Sequence, residues 1–130
     1  MNDSLDPVEL TQTLIGFDTI NPPGNERPCA EQLGGLLEDT GFAVSYHEFS
    51  NRRTSLVARI GGSSDVPPLC FTGHIDTVPL GAAPWMVDPF AGEISDGKLY
   101  GRGASDMKSG VAAFVIAAMK LARDLSEGPG

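Results

Sequence analysis

Three side chains of metal-ligand type fall in a short order: His74, Asp76 two residues later, and Asp106, 32 residues after the histidine. An imidazole and a carboxylate held on tight loops are the donors a zinc-like ion takes. In an extended segment, residues i and i+2 leave the backbone on the same side. Asp76 can therefore accept the second ring N–H of His74, which fixes the tautomer and raises the basicity of the imidazole. Asp106 lies in the run Gly101-Arg102-Gly103-Ala104-Ser105-Asp106-Met107-Lys108. Together the three read as half of a metal-hydrolase site, with His74 and Asp106 as metal ligands and Asp76 as the catalytic orienting carboxylate.

Each residue also has a plainer reading. A histidine before a loop is more often a satisfied polar group than a ligand, and an aspartate before a helix can serve the helix dipole alone. Gly101-Arg102-Gly103 could be only a turn, and no Gly-Lys-Ser/Thr follows it as a phosphate loop requires. Lys108 reads as a solvated or locally paired cation, Trp85, Asp88 and Phe90 as packing residues, and His47 as a surface residue of a strand. Without a Gly-x-Ser-x-Gly elbow or a cysteine beside a histidine, nucleophilic catalysis has no support.

The elements that must position these groups are legible in the pattern. Asp6-Pro7 starts a helix, with Asp6 as cap and Glu9 in the first turn. Leu10, Leu14 and Phe17 follow at helical spacing, and Asn21-Pro22-Pro23-Gly24 stops it. A second helix spans about Glu26 to Thr40, burying Cys29, Leu33, Leu36 and Leu37; its Gly34-Gly35 pair weakens it or marks close packing. Phe42 to Phe49 alternates as a strand, Asn51-Arg52-Arg53 turns, and Ser55 to Ile60 forms a second strand. Leu69-Cys70-Phe71-Thr72 suits a strand buried on both faces. Ser95-Asp96-Gly97 marks a hairpin. Ser109 to Leu125 is the clearest helix, apolar all round in its first half and so expected between other layers, with 126–130 as a loop. His74 follows a buried strand and Asp106 precedes a buried helix, the places where α/β folds build sites.

Composition narrows the function. Of 130 residues, 41% are hydrophobic, enough for a packed core of one domain. The net charge of −8 argues against nucleic acid as a partner, because phosphate backbones would be repelled. Cys29 and Cys70 have no paired spacing; the second is expected to be buried, and neither points to a disulfide framework. Neither a basic-then-apolar leader nor an apolar stretch long enough for a bilayer is visible, so the expectation is a cytoplasmic protein without a membrane partner.

Taken in order, Phe71 to Pro79, Trp85 to Phe90 and Leu99 to Lys108 say more than their parts. The set resembles the di-zinc aminoacylase and carboxypeptidase family, which includes acetylornithine deacetylase and succinyl-diaminopimelate desuccinylase. Asn21-Pro22-Pro23-Gly24-Asn25-Glu26 is similar to that family's N-terminal loop. The resemblance implies an α/β fold: a three-layer sandwich with a mixed, largely parallel sheet, here an incomplete zinc-peptidase-like catalytic domain. It implies that His74 binds one metal, that Asp76 orients it, that Asp106 bridges two zinc (or cobalt) ions, and that the Asp106–Met107 peptide is cis. Ser109 departs from the family's usual glycine, and serine suits a helix start.

The resemblance also implies what these residues do not contain. The family's catalytic glutamate, its neighbouring glutamate ligand and two further ligands lie downstream, and Glu127 is too early to be either glutamate. Residues 1–130 are thus expected to be the N-terminal part of the catalytic domain, without the dimerisation domain, and inactive alone. In the intact enzyme, a homodimer, the implied reaction is metal-assisted hydrolysis of the amide bond of a small N-acyl amino acid, with acetylornithine favoured. A carboxypeptidase or dipeptidase acting on peptides is the alternative within the family. A non-catalytic α/β fragment with weak metal binding is the alternative outside it.

Overall fold

Asp6 caps the first helix as its type predicts. In the computed structural model, which describes residues 5–63 and 65–127, helix α1 spans Pro7–Ile15 and the Asp6 carboxylate accepts the Glu9 N–H at 2.7 Å. The helix ends before Phe17 because Gly16 caps it. The Leu14 carbonyl accepts the Phe17 N–H at 3.2 Å, and a distant side chain reaches both it and the Phe17 carbonyl.

Helix α2, Arg27–Asp39, carries its apolar stripe of Cys29, Ala30, Leu33 and Leu37 inward. Its glycine pair has a packing reason at one position: a β-carbon on Gly34 would overlap the Tyr46 hydroxyl. The backbone of α2 can thus lie close against the hairpin formed by β1 (Ala43–Ser50) and β2 (Arg53–Arg59). That pair is antiparallel, with Tyr46 opposite Leu56 and Ala43 opposite Arg59. Phe42, Val44, Leu56 and Ala58 pack from it onto the core. His47 lies exposed on the strand, its Nε2 at 3.1 Å from Ser45 Oγ.

A smaller hairpin joins β3 (Ile94–Ser95) to β4 (Lys98–Leu99). Asp96 and Gly97 sit at φ 53° and 74°, as a two-residue type I′ turn requires. Helix α3 then runs over Ser109–Glu127, so residues 126 and 127 extend the helix instead of starting a loop; 128–130 lie outside the described residues. One face of α3, Val111, Ala112, Val115 and Met119, meets Leu10 and Leu14 of α1 and Cys29, Leu33 and Leu37 of α2 in the core. Burial pushes the Cys29 thiol up to about 11, so it is an inert packing group.

Four expectations are corrected. Residues 69–72 form no ladder, and Leu69 is 76% and Phe71 47% exposed. A strand buried on both faces needs a neighbour on each side, and none stands there among the described residues. Cys70, on the same segment, is exposed for the same reason. Helix α3 is not sandwiched: Ala113 and Ala117 of its first half are exposed, as are Leu121 and Leu125 further on. The three-layer, largely parallel sheet is likewise not formed among the described residues: both ladders are antiparallel, and the parallel pairing is a single bridge between Ile20 and Thr77. The fold is α/β, and its layers are helix against hairpin and helix against helix.

Candidate metal centre

The His74 segment is held by the stretch after α1. Thr19, fully buried, donates its hydroxyl to the Ile75 carbonyl at 2.6 Å. Thr77 N donates to Thr19 O at 3.0 Å and Asn21 N to Thr77 O at 2.8 Å. These bonds clamp residues 75–77 beside residues 19–21 and leave the side chains of His74 and Asp76 on one side, as their spacing predicts.

Asp106 is placed by a sharply irregular turn, Ala104–Lys108, at the start of α3. Gly103 enters it at φ 87°, where a β-carbon would lie 2.7 Å from Thr77 Cγ2. Both the dihedral and the space therefore demand glycine. The Asp106–Met107 peptide is cis, as the family resemblance implies. Lys108 N donates to Gly103 O at 2.8 Å and closes the turn.

The reading of Lys108 as a solvated cation is corrected. It is among the most buried side chains, 1% exposed, and its ammonium donates to Leu14 O and Phe17 O, each at 2.9 Å. The last carbonyls of a helix lack partners and carry partial negative charge, so a buried cation there is doubly satisfied. Burial lowers its pKa, only partly opposed by Cys29 and Asp18. Trp85 does pack: its indole N–H donates to Leu80 O at 3.1 Å, and the Arg102 guanidinium lies 5.1 Å from its ring centroid.

These supports bring His74 Nε2 to 3.0 Å from Asp106 Oδ1. On the other side of the ring, Nδ1 stands 3.1 Å from both the Asp76 backbone oxygen and Asp76 Oδ1. Both partners of Nδ1 accept only, so Nδ1 carries the hydrogen and Nε2 is left facing a carboxylate. A lone pair and a carboxylate oxygen repel at 3.0 Å, so the gap calls for a proton or a cation. In the metal-free protein a proton on Nε2 would fill it. Partial burial pulls the His74 pKa down, but the Asp76 carbonyl and the Asp106 and Asp76 carboxylates outweigh it and hold the pKa above its usual range.

The donors fit a zinc-type ion: one imidazole nitrogen with its second nitrogen already held, one facing carboxylate oxygen, and solvent access, with His74 49% and Asp106 81% exposed. They supply two ligands. Among the described residues no group of three or more His, Cys, Asp or Glu side chains is arranged to hold a metal ion.

Sequence reasoning missed what stands behind Asp76. Its second oxygen, Oδ2, faces Asn21 Nδ2 at 3.3 Å and Arg53 Nη2 at 3.8 Å, and Arg53 is in turn bound to Glu26. The Asn21–Glu26 run was legible as a family-like loop, whereas Arg53 read only as a turn residue.

An α/β scaffold presenting a histidine, an aspartate bonded to its ring and a facing aspartate that precedes a cis peptide agrees with the family match. Residues 70–130 match the model of peptidase family M20/M25/M40, and the chain belongs to that family. It is 48% identical over 115 residues to the succinyl-diaminopimelate desuccinylase of Wolbachia pipientis subsp. Culex pipiens, covering 87% of this chain and 28% of that protein. The enzyme of the same name from Parvibaculum lavamentivorans is 43% identical over 128 residues, covering 95% of this chain and 31% of that protein. The crystal structure of human carnosine dipeptidase 1 superposes with a TM-score of 0.75 at 25% identity, covering 94% of this chain and 29% of that one. The chain thus spans roughly a third or less of the length of the relatives it matches.

Proposed function

We propose that this segment supplies half of the metal centre of an amide hydrolase acting on small N-acyl amino acids. The observation that carries the reading is the 3.0 Å approach of His74 Nε2 to Asp106 Oδ1, with Asp76 fastened to the opposite ring nitrogen. His74 and Asp106 would hold zinc, or cobalt, and Asp76 would keep the His74 lone pair aimed at it. A bound ion of this kind lowers the pKa of its water and polarises the acyl carbonyl.

Residues 1–130 would form the N-terminal part of the catalytic domain, with the general base and remaining ligands supplied by sequence beyond them. The names of the similar enzymes favour an N-succinyl diamino acid over acetylornithine as substrate. A dipeptidase is the second reading, supported by the likeness to carnosine dipeptidase 1. A homodimer and a cytoplasmic location belong to the same proposal on the family resemblance; among the described residues, no helix is long and apolar enough to cross a membrane.

Profiling the complete enzyme against N-succinyl-diaminopimelate, N-acetylornithine and dipeptides tests it. Preferred release of succinate, abolished by Asp106→Ala, is the expected result. Undiminished hydrolysis in Asp106→Ala would overturn the reading, and a preference for dipeptides would select the second one.

A further inference from the structure

We infer that Arg53, held by Glu26 and assisted by Asn21, is a positioning residue for the metal centre: it fixes the free oxygen of Asp76 and through it the ring of His74. The inference rests on the function proposed above and adds residues outside the ligand set.

Glu26 is buried, only 4% exposed, where an unpaired carboxylate would be costly. It is met by a side-on fork: Arg53 Nε lies 3.2 and 3.1 Å from its two oxygens, and Nη2 lies 2.7 Å from Oε2. Such two-point bonding sets the plane of the guanidinium as well as its place. The same Nη2 stands 3.8 Å from Asp76 Oδ2, and Asn21 Nδ2 approaches that oxygen to 3.3 Å. Asp76 is therefore occupied on both oxygens, His74 on one and Arg53 with Asn21 on the other.

The parts come from separate elements. Glu26 precedes α2, Arg53 opens β2, Asn21 follows α1, and the turn before Arg53 is tied to the same loop by Arg52 Nε to Asn25 Oδ1 at 2.7 Å and Arg27 N to Arg52 O at 3.2 Å. The hairpin and α2 thereby act on a site to which they contribute no ligand. A buried ion pair is a poor source of stability, since apolar replacements of similar size often do as well. What an apolar pair could not do is restrain the Asp76 carboxylate, and partners of this outer kind are worth 10- to 100-fold in metal affinity or activity.

The double variant Glu26→Leu/Arg53→Met removes both charges without leaving one buried alone, and Asn21→Ala removes the second restraint singly. In the metal-free protein, 15N NMR of the His74 ring should show the Nδ1–H signal shifted in both variants relative to the parent. In the complete enzyme, zinc should bind at least tenfold more weakly and kcat should fall at least tenfold, with KM within twofold. Parent-like ring signals, zinc affinity and kcat in a folded double variant would overturn the inference. Should that variant fail to fold, Asn21→Ala decides, and parent-like behaviour there would overturn it equally. If the parent enzyme neither binds zinc nor hydrolyses amides, the proposed function fails instead, and the ring signal of the metal-free protein still decides the role of Arg53.

Discussion

Lys108 reaches back across the molecule to Leu14, its ammonium 2.9 Å from a carbonyl 94 residues earlier in the chain. That bond ties the turn bearing Asp106 to the end of α1, two residues from the carboxylate that faces His74. Replacing Lys108 by Met keeps the volume but takes the ammonium donor from the Phe17 carbonyl and leaves the Leu14 carbonyl to the Phe17 N–H at 3.2 Å. A buried polar group deprived of its partner costs about 1–3 kcal/mol. Urea unfolding of Lys108→Met should show a loss of at least that size, and an unchanged midpoint would refute the capping role.

Gly103 predicts a second loss. Alanine there would meet Thr77 Cγ2 at 2.7 Å and would have to adopt φ 87°. Left-handed backbone at a non-glycine residue costs about 1–3 kcal/mol before the clash is counted. Thermal unfolding of Gly103→Ala should show a lowered midpoint, whereas Gly35→Ala, with nothing near its added carbon, should not be lowered.

The His74 pKa gives a pH dependence with a definite sign. It is raised in the folded, metal-free protein by its two aspartates against the pull of partial burial. Its contribution to stability is therefore fully present below the unfolded histidine value and lost as pH rises through the folded one. Zinc requires the neutral imidazole, so the same protonation competes with it. Zinc affinity should rise with pH across the raised titration, and Asp76→Asn, which removes a raising carboxylate, should move that rise to lower pH. A flat affinity across the titration of His74 would contradict this.

How much was legible follows from how local each determinant is. The caps, the α2 and α3 stripes, the Asp96-Gly97 turn and the shared side of His74 and Asp76 depend on neighbours within a few residues, and the pattern carries them. The fate of Leu69 to Thr72 depends on strands that must come from elsewhere, so an apolar run that reads as core lies exposed. Lys108 and Arg53 were misjudged because their partners lie 94 and 27 residues away, and charged residues are seldom buried. The Asp106 carboxylate was recognised by its motif; only the coordinates show it facing His74.

The exposed apolar groups predict association. Leu69 at 76%, Phe71 at 47%, Leu121 at 49% and Leu125 at 66% exposure leave large apolar side chains open to a second copy. Light scattering on the 130-residue chain should report self-association that weakens in Leu69→Ser/Leu125→Ser. A clean monomer at high concentration would contradict it.

The cation gap between residues 74 and 106 is tested most directly by 15N NMR of the two imidazoles during zinc titration of the 130-residue chain, since its two histidines make His47 an internal control. The expected result is a selective, weak-affinity change at His74 Nε2, little at its Nδ1, none at His47, and loss of the response in Asp106→Asn. An equal response from both histidines, or an undiminished His74 response in Asp106→Asn, would contradict it.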